Sequence, residues 1–414
     1  MPTSSSRRPG AVTQAVLAQL SRRQLLLGAA SFGAASLLAA CGGSGSDGSS
    51  DDSSATASSF TSGPITGFGS VIVGGVRFDD TLAVIVDEDG NRATRGDLKL
   101  GCIVDVDAGT INRAELRAVA LRIALGGALV GPVSAVDTAA TTMTLLGQTV
   151  LVTTSTVFDA AITGGLAGIT VGNVYEVHGL YDNVNKRFLA TRVAPKTGAT
   201  EYRLRGVVSD LDTTARTFKI GSELVNYAGV PNTDLANATL ANGQLVRVTL
   251  QTTQVNGAWV AIRLRHSLRT LEPRPDAHVE GVITVFTSAQ SFEINGLAVD
   301  ATKATFPDGT AGVVLGARVE VEGAIVNGVL VATKVEIEDR RDAGRRPLEF
   351  HGDMNNLDTT AKTFALRGLT VWYGGTVAYV NGTEATLANN LPVEVRGVIS
   401  ADRTRIEARR IEFK

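Results

Sequence analysis

Cysteine and histidine are scarce, 2 and 4 in a chain of 414 residues. Two thiols cannot build a disulfide framework, and four scattered imidazoles leave little material for zinc or iron sites, so most metalloenzyme classes fall away. Aromatic residues are only 5% of the chain, which limits the rings available to stack on sugars or bases. No G-x-x-x-x-G-K-[ST] phosphate loop occurs, and Gly67-Phe68-Gly69 leads into a strand pattern rather than a helix, so it cannot aim a helix N-terminus at a pyrophosphate. Positive charge is also lacking in the body. Residues 1–40 hold four arginines and no acid, and the rest carries 35 basic against 41 acidic side chains, net −6. Nucleic acid is therefore not an expected partner. What remains is 44% hydrophobic and long enough for two or more domains with real cores.

Residues 1–40 read as a signal peptide. Arg7, Arg8, Arg22 and Arg23 precede the apolar stretch Leu25–Ala40, whose 16 residues are short for a bilayer-spanning helix but suit a signal core. Ser21-Arg22-Arg23-Gln24-Leu25-Leu26 resembles a twin-arginine export signal. Leu38-Ala39-Ala40-Cys41 resembles the bacterial lipobox, which implies lipidation of Cys41 and, with Gly42 rather than Asp behind it, the outer membrane of a Gram-negative host. Residues 41–60 then form a tether. Gly42–Ser59 is almost wholly Gly, Ser, Asp, Ala and Thr, too poor in apolar surface to fold. Two or more acyl chains give stable anchoring where one is marginal, so the membrane is an expected partner through Cys41.

The body repeats itself. Strand openings recur at Gly131-Pro132-Val133, Gly206-Val207-Val208, Gly281-Val282-Ile283 and Gly352-Asp353-Met354, spaced by 75, 75 and 71 residues. Each runs into a turn such as Leu211-Asp212-Thr213-Thr214-Ala215-Arg216-Thr217-Phe218. The Asp can accept hydrogen bonds from amides further along the turn and so hold the hairpin in register. A second glycine follows at Gly147, Gly221, Gly296 and Gly368, where a bulge or sharp bend is expected. A third landmark alternates with period two, as in Val171-Gly172-Asn173-Val174-Tyr175-Glu176-Val177-His178-Gly179 and Leu315-Gly316-Ala317-Arg318-Val319-Glu320-Val321-Glu322-Gly323. That is a half-buried strand. Closing strands such as Leu330-Val331-Ala332-Thr333-Lys334-Val335 complete each unit.

Residues 61–130 form a divergent first unit, followed by units at 131–199, 200–271, 272–340 and 341–414. Five short strands and one longer loop per unit predict an all-β chain, a tandem array of about five small antiparallel OB-like barrels. Linkers such as Glu272-Pro273-Arg274-Pro275 would set how freely the units move. The units resemble the bacterial "domain of unknown function" family 5666, found in repeats on exported proteins. The resemblance rests on G-x-V-x-x-[VL]-D-x-x-x-x-T-[FM]-x-[LI]-x-G, V-G-x-x-V-E-V-x-G and [LV]-x-A-T-[RK]-V. These motifs are structural and bring no catalytic residue. Unit three lacks the terminal glycine of the second motif, and unit one lacks the hairpin of the first.

No catalytic constellation emerges. His178, His266, His278 and His351 show no metal-binding spacing, and Cys102 sits in an apolar strand pattern as a small buried hydrophobe. Asp210 and Asp212 flank a hairpin rather than a cleft. Asp87-Glu88-Asp89-Gly90-Asn91 lacks a full calcium loop and reads as a solvated hairpin tip. Trp372 and Tyr373 are the candidate ligand-binding residues, one expected in the core and the other in solvent. Catalytic residues, metal and cofactor are therefore expected to be absent. The expected function is a non-enzymatic, lipid-anchored envelope protein that binds or scaffolds an unknown envelope protein. The alternatives are glycan binding and an enzyme whose site forms between units, for which a carboxylate-rich junction would be the mark.

Overall fold

The computed structural model describes residues 57–414 apart from 69, 232–238, 267–270, 339–347 and 401–404, and only the backbone of Ala128 and His266. The signal residues Arg22, Arg23, Leu38, Ala39 and Ala40, the lipidation residue Cys41 and most of the tether lie outside the described residues.

Period-two patterning becomes strand wherever it occurs. In Arg318–Val326, Val319 and Val321 are fully buried while the residues between them face outward. One strand order recurs. In barrel 2 the strands Ala128–Asp137, Thr142–Leu145 and Gln148–Phe158 pair in sequence, the third pairs in parallel with Arg187–Pro195, and Val174–Asp182 closes the ring onto the first. Barrel 3 repeats this ring with Tyr202–Asp212, Thr217–Ile220, Glu223–Asn226, Leu245–Val255 and Ala258–His266. These two rings share a 10-stranded sheet. The same order runs through barrels 1, 4 and 5, which merge into an 18-stranded sheet. Barrel 1 adds the strand Val84–Val86, barrel 5 adds Ala378–Val380, and the first strand of barrel 5 breaks at Met354 into Leu348–Asp353 and Asn355–Asp358.

The turn aspartates act as expected. Asp137, Asp212 and Asp358 each accept hydrogen bonds from the amides two and three residues on. The second glycines do not form bulges. They are hairpin tips: Leu146-Gly147, Asn295-Gly296 and Arg367-Gly368 have positive φ at both residues, and Gly221 has positive φ ahead of Ser222. A two-residue loop needs these mirror-image turns because their twist matches that of the strands. Register shifts fall elsewhere, among other places at the glycine ending the third landmark, at His178/Gly179, Glu322/Gly323 and Arg396/Gly397. A Cβ at Gly323 would lie 2.1 Å from the Val331 carbonyl oxygen, so the close crossing of two strands requires glycine there.

The units of the repeat do not stand apart. Ser54–Lys414 is one compact unit. The first strand of barrel 1, Ser59–Phe68, pairs in parallel with Arg274–Ser288 of barrel 4 through its first half and with Leu348–Asp353 of barrel 5 through its end. One apolar core runs through barrels 2 and 3 and another through barrels 1 and 5. A small barrel buries too little surface to stand alone securely, and exposed strand edges gain by pairing.

Candidate functional site

Barrel 1 makes a charged contact with barrel 3. The tip is only partly solvated, which corrects the expectation for this loop: Gly90 and Asn91 are exposed, but the side chains of Glu88 and Asp89 are turned in and nearly covered. Glu88 accepts from Arg205 at 2.8 Å, from Arg247 at 2.8 Å and from the Gly127 amide, and Asp89 accepts from Arg247 at 2.9 Å. Arg263 and Arg265 approach Asp89 at 3.7 and 3.9 Å. Burial alone would raise the Glu88 carboxyl, but the guanidinium groups of Arg205 and Arg247 and the Gly127 amide bring it down to about 2. The arginines lie two apart along strands of barrel 3, so they share one outer face, and the acidic loop is held against it.

Beside this contact lies a cavity of about 320 Å³ at the junction of barrels 1 and 2. Asp97, Asp159, Glu176, Lys99, Arg192 and Arg203 are among the charged residues lining it, and Cys102 and His178 reach it from opposite barrels. His178 Nδ1 lies 3.0 Å from the Gly126 carbonyl oxygen. Burial alone would raise the Cys102 thiol, yet the facing His178, a hydrogen bond from it and the nearby Arg192 hold the thiol below its usual range. Burial would likewise lower His178, but Cys102 and Glu176 push it up. A thiol facing an imidazole is the pairing that can make a thiol nucleophilic. Cys102 is buried as the sequence implied, but its partner was not foreseen. The one signal was positional: His178 stands where barrels 4 and 5 carry Glu322 and Arg396, and Cys102 stands where barrel 2 carries Asn173.

A larger cavity, about 720 Å³, opens between barrels 2 and 4. Its wall includes Leu151, Leu189 and Ile337 together with Val184, Val314 and Leu315, which are 48%, 46% and 38% exposed. Asp182, Arg187, Asp308, Arg318 and Glu338 supply polar groups around them.

The aromatic candidates divide between core and surface. Tyr373 is 2% exposed and packs against Phe364, so it is the core member of the adjacent pair. Trp372 is half-buried, with the Arg405 guanidinium carbon 4.8 Å above its ring. Trp259 is 9% exposed and donates through Nε1 to Glu223 at 2.6 Å. Asp210 pairs with Lys219 at 2.9 Å, while Asp212 serves its turn, so the two form no catalytic pair.

These features define a class: tandem OB-like β-barrels of one repeated design, fused into one body with cavities at the seams. Residues 130–194, 280–336 and 351–412, lying in barrels 2, 4 and 5, each match the family described as "Domain of unknown function (DUF5666)", so the match is repeated three times. No curated protein matches the chain. Among solved structures, "drosophila Unr CSD456" aligns at 13% identity over 52% of this chain and 98% of its own, with a TM-score of 0.13, too low to support any conclusion.

Proposed function

We propose that this is an exported, lipid-anchored protein of the bacterial envelope whose barrels act together as one binding body. The observation carrying the binding part is the cavity between barrels 2 and 4: about 720 Å³, with exposed aliphatic walls and a few charged groups. Small-molecule sites have this size and this mixture of an apolar wall with sparse polar anchors. The chemistry suits a largely apolar ligand packed against Val184 and Leu315, since Arg187 is already paired with Asp182 and Arg318 with Glu280 and Glu338. The anchoring part is carried by Leu38-Ala39-Ala40-Cys41.

Two measurements test this reading. Anilinonaphthalene sulfonate should bind saturably with a rise in fluorescence, and Leu315→Asp should weaken it by about tenfold, since a buried unpaired carboxylate costs well over 1.4 kcal/mol. Equal binding by the variant overturns the cavity assignment. Cys41→Ala should move the protein from the membrane to the soluble fraction and abolish fatty-acid labelling. A wild type that takes up no label defeats the anchor.

A second reading, an enzyme with its site between barrels, is favoured by the carboxylate-rich seam holding Cys102 and His178. It requires a thiolate at neutral pH. Absorbance at 240 nm should then fall in Cys102→Ser and in His178→Gln relative to wild type. Identical spectra remove the nucleophile.

A further inference from the structure

We propose that His278, Glu320 and Glu322 of barrel 4 form a binding site for a divalent first-row metal ion such as Zn²⁺, at the seam with barrel 1. His278 lies on Arg274–Ser288, and both glutamates lie on the paired strand Arg318–Val326, with His278 directly opposite Glu322 and Glu280 opposite Glu320. Alternate residues of a strand share a face, so the imidazole and both carboxylates point the same way. One ligand atom from each of the three lies within 4.8 Å of the others.

Two further observations distinguish this group from an ordinary ion pair. His278 Nε2 is shut off from solvent and makes no hydrogen bond, although it lies 3.3 Å from Glu320 Oε1. That separation equals the edge of a tetrahedron with arms of about 2.0–2.1 Å, the usual Zn–N and Zn–O distances. The ring is also packed closely against barrel 1. A Cβ at Gly74, in the barrel 1 turn, would lie 2.6 Å from His278 Cδ2 and Nε2, so only glycine at that position leaves room for the imidazole. Glu322 is paired with Lys334 at 3.1 Å, but Lys334 also has Glu336 at 3.0 Å, so releasing Glu322 to a metal leaves the lysine a carboxylate. One imidazole with two carboxylates is a mixed donor set suited to Zn²⁺ or Mn²⁺ rather than Ca²⁺.

Barrel 5 carries a comparable trio, Glu349, His351 and Glu394. Cations already fill that space. Arg77 and Arg396 reach Glu349, Lys414 reaches Glu394 at 2.8 Å, and Arg77 Nη1 lies 3.2 Å from His351 Nε2. It therefore serves as an internal control.

The test is calorimetric titration of the metal-free full chain in detergent with ZnCl₂, checked by metal analysis after dialysis. One Zn²⁺ per chain is expected. His278→Ala and Glu322→Gln should each weaken it by about tenfold or more, Gly74→Ala should weaken it by displacing the ring, and His351→Ala should leave it unchanged. Melting curves of the metal-free variants check that each is folded, and Glu322→Gln, a near-isosteric change at a partly exposed site, stands if His278→Ala is not. No binding to the wild type at ~100 μM Zn²⁺, or equal binding by a folded Glu322→Gln variant, overturns the proposal. So does loss of binding in His351→Ala alone.

Discussion

Glu88→Gln should lower the folding stability by roughly 3 kcal/mol, as a fall in the urea midpoint with little change in slope. The carboxylate is nearly solvent-free and faces Arg205 and Arg247. Removing one member of a buried ion pair leaves the other charge without its counterion, at a typical cost of 3–5 kcal/mol, and Gln keeps some of the hydrogen bonds. The pH dependence follows from the same contact. Glu88 has its carboxyl depressed from 4.5 to about 2 in the folded protein, so the folded state binds its proton less readily than the unfolded chain. Its contribution is complete above the unfolded value, near pH 4.5, and disappears as pH falls toward 2. Wild type should therefore lose stability across that interval by up to ~3 kcal/mol more than Glu88→Gln. Parallel pH curves for the two proteins would show that the acidic tip does not hold barrels 1 and 3 together.

Gly101→Val should open the seam between barrels 1 and 2. Gly101 has φ of +79°, and a Cβ there would lie 2.4 Å from the Thr191 carbonyl oxygen of barrel 2. A β-branched side chain meets both obstacles, a left-handed backbone and a backbone atom that cannot step aside. The expected loss is about 3 kcal/mol, with faster proteolysis at the seam, because overpacking and positive-φ strain add. Gly75→Ala separates the two effects. Gly75 has φ of +76° but open space around its Cβ position, so it should cost only about 1 kcal/mol. If both variants lose the same amount, the contact at Thr191 contributes nothing.

The repeat was legible because it depends on short-range rules. Period-two alternation in Val319-Glu320-Val321-Glu322, the Asp at the head of the opening turn in barrels 2, 3 and 5, and the glycine spacing each report local backbone geometry. Where the sequence left a bulge or a sharp bend open, as at Gly147, the choice was local too: a positive-φ residue serves a hairpin tip as well as a bulge, and the sequence around it does not separate the two. The candidate sites were less legible. Glu88 and Arg247 are 159 residues apart, and Cys102 and His178 come from different barrels. Nothing in the Asp87–Asn91 stretch distinguishes a tip in water from one against five arginines.

By itself the chain's amino-acid order determined the all-β class, the repeated unit and the hairpin turns, because each follows from residues within a few positions of one another. Only the tertiary structure decided that barrel 1 would pair its first strand with barrels 4 and 5, that its acidic tip would sit against barrel 3, and that cavities would open at the seams. Those outcomes depend on which edges and charges meet across the folded body, and such complementarity between distant segments leaves no pattern in either segment alone.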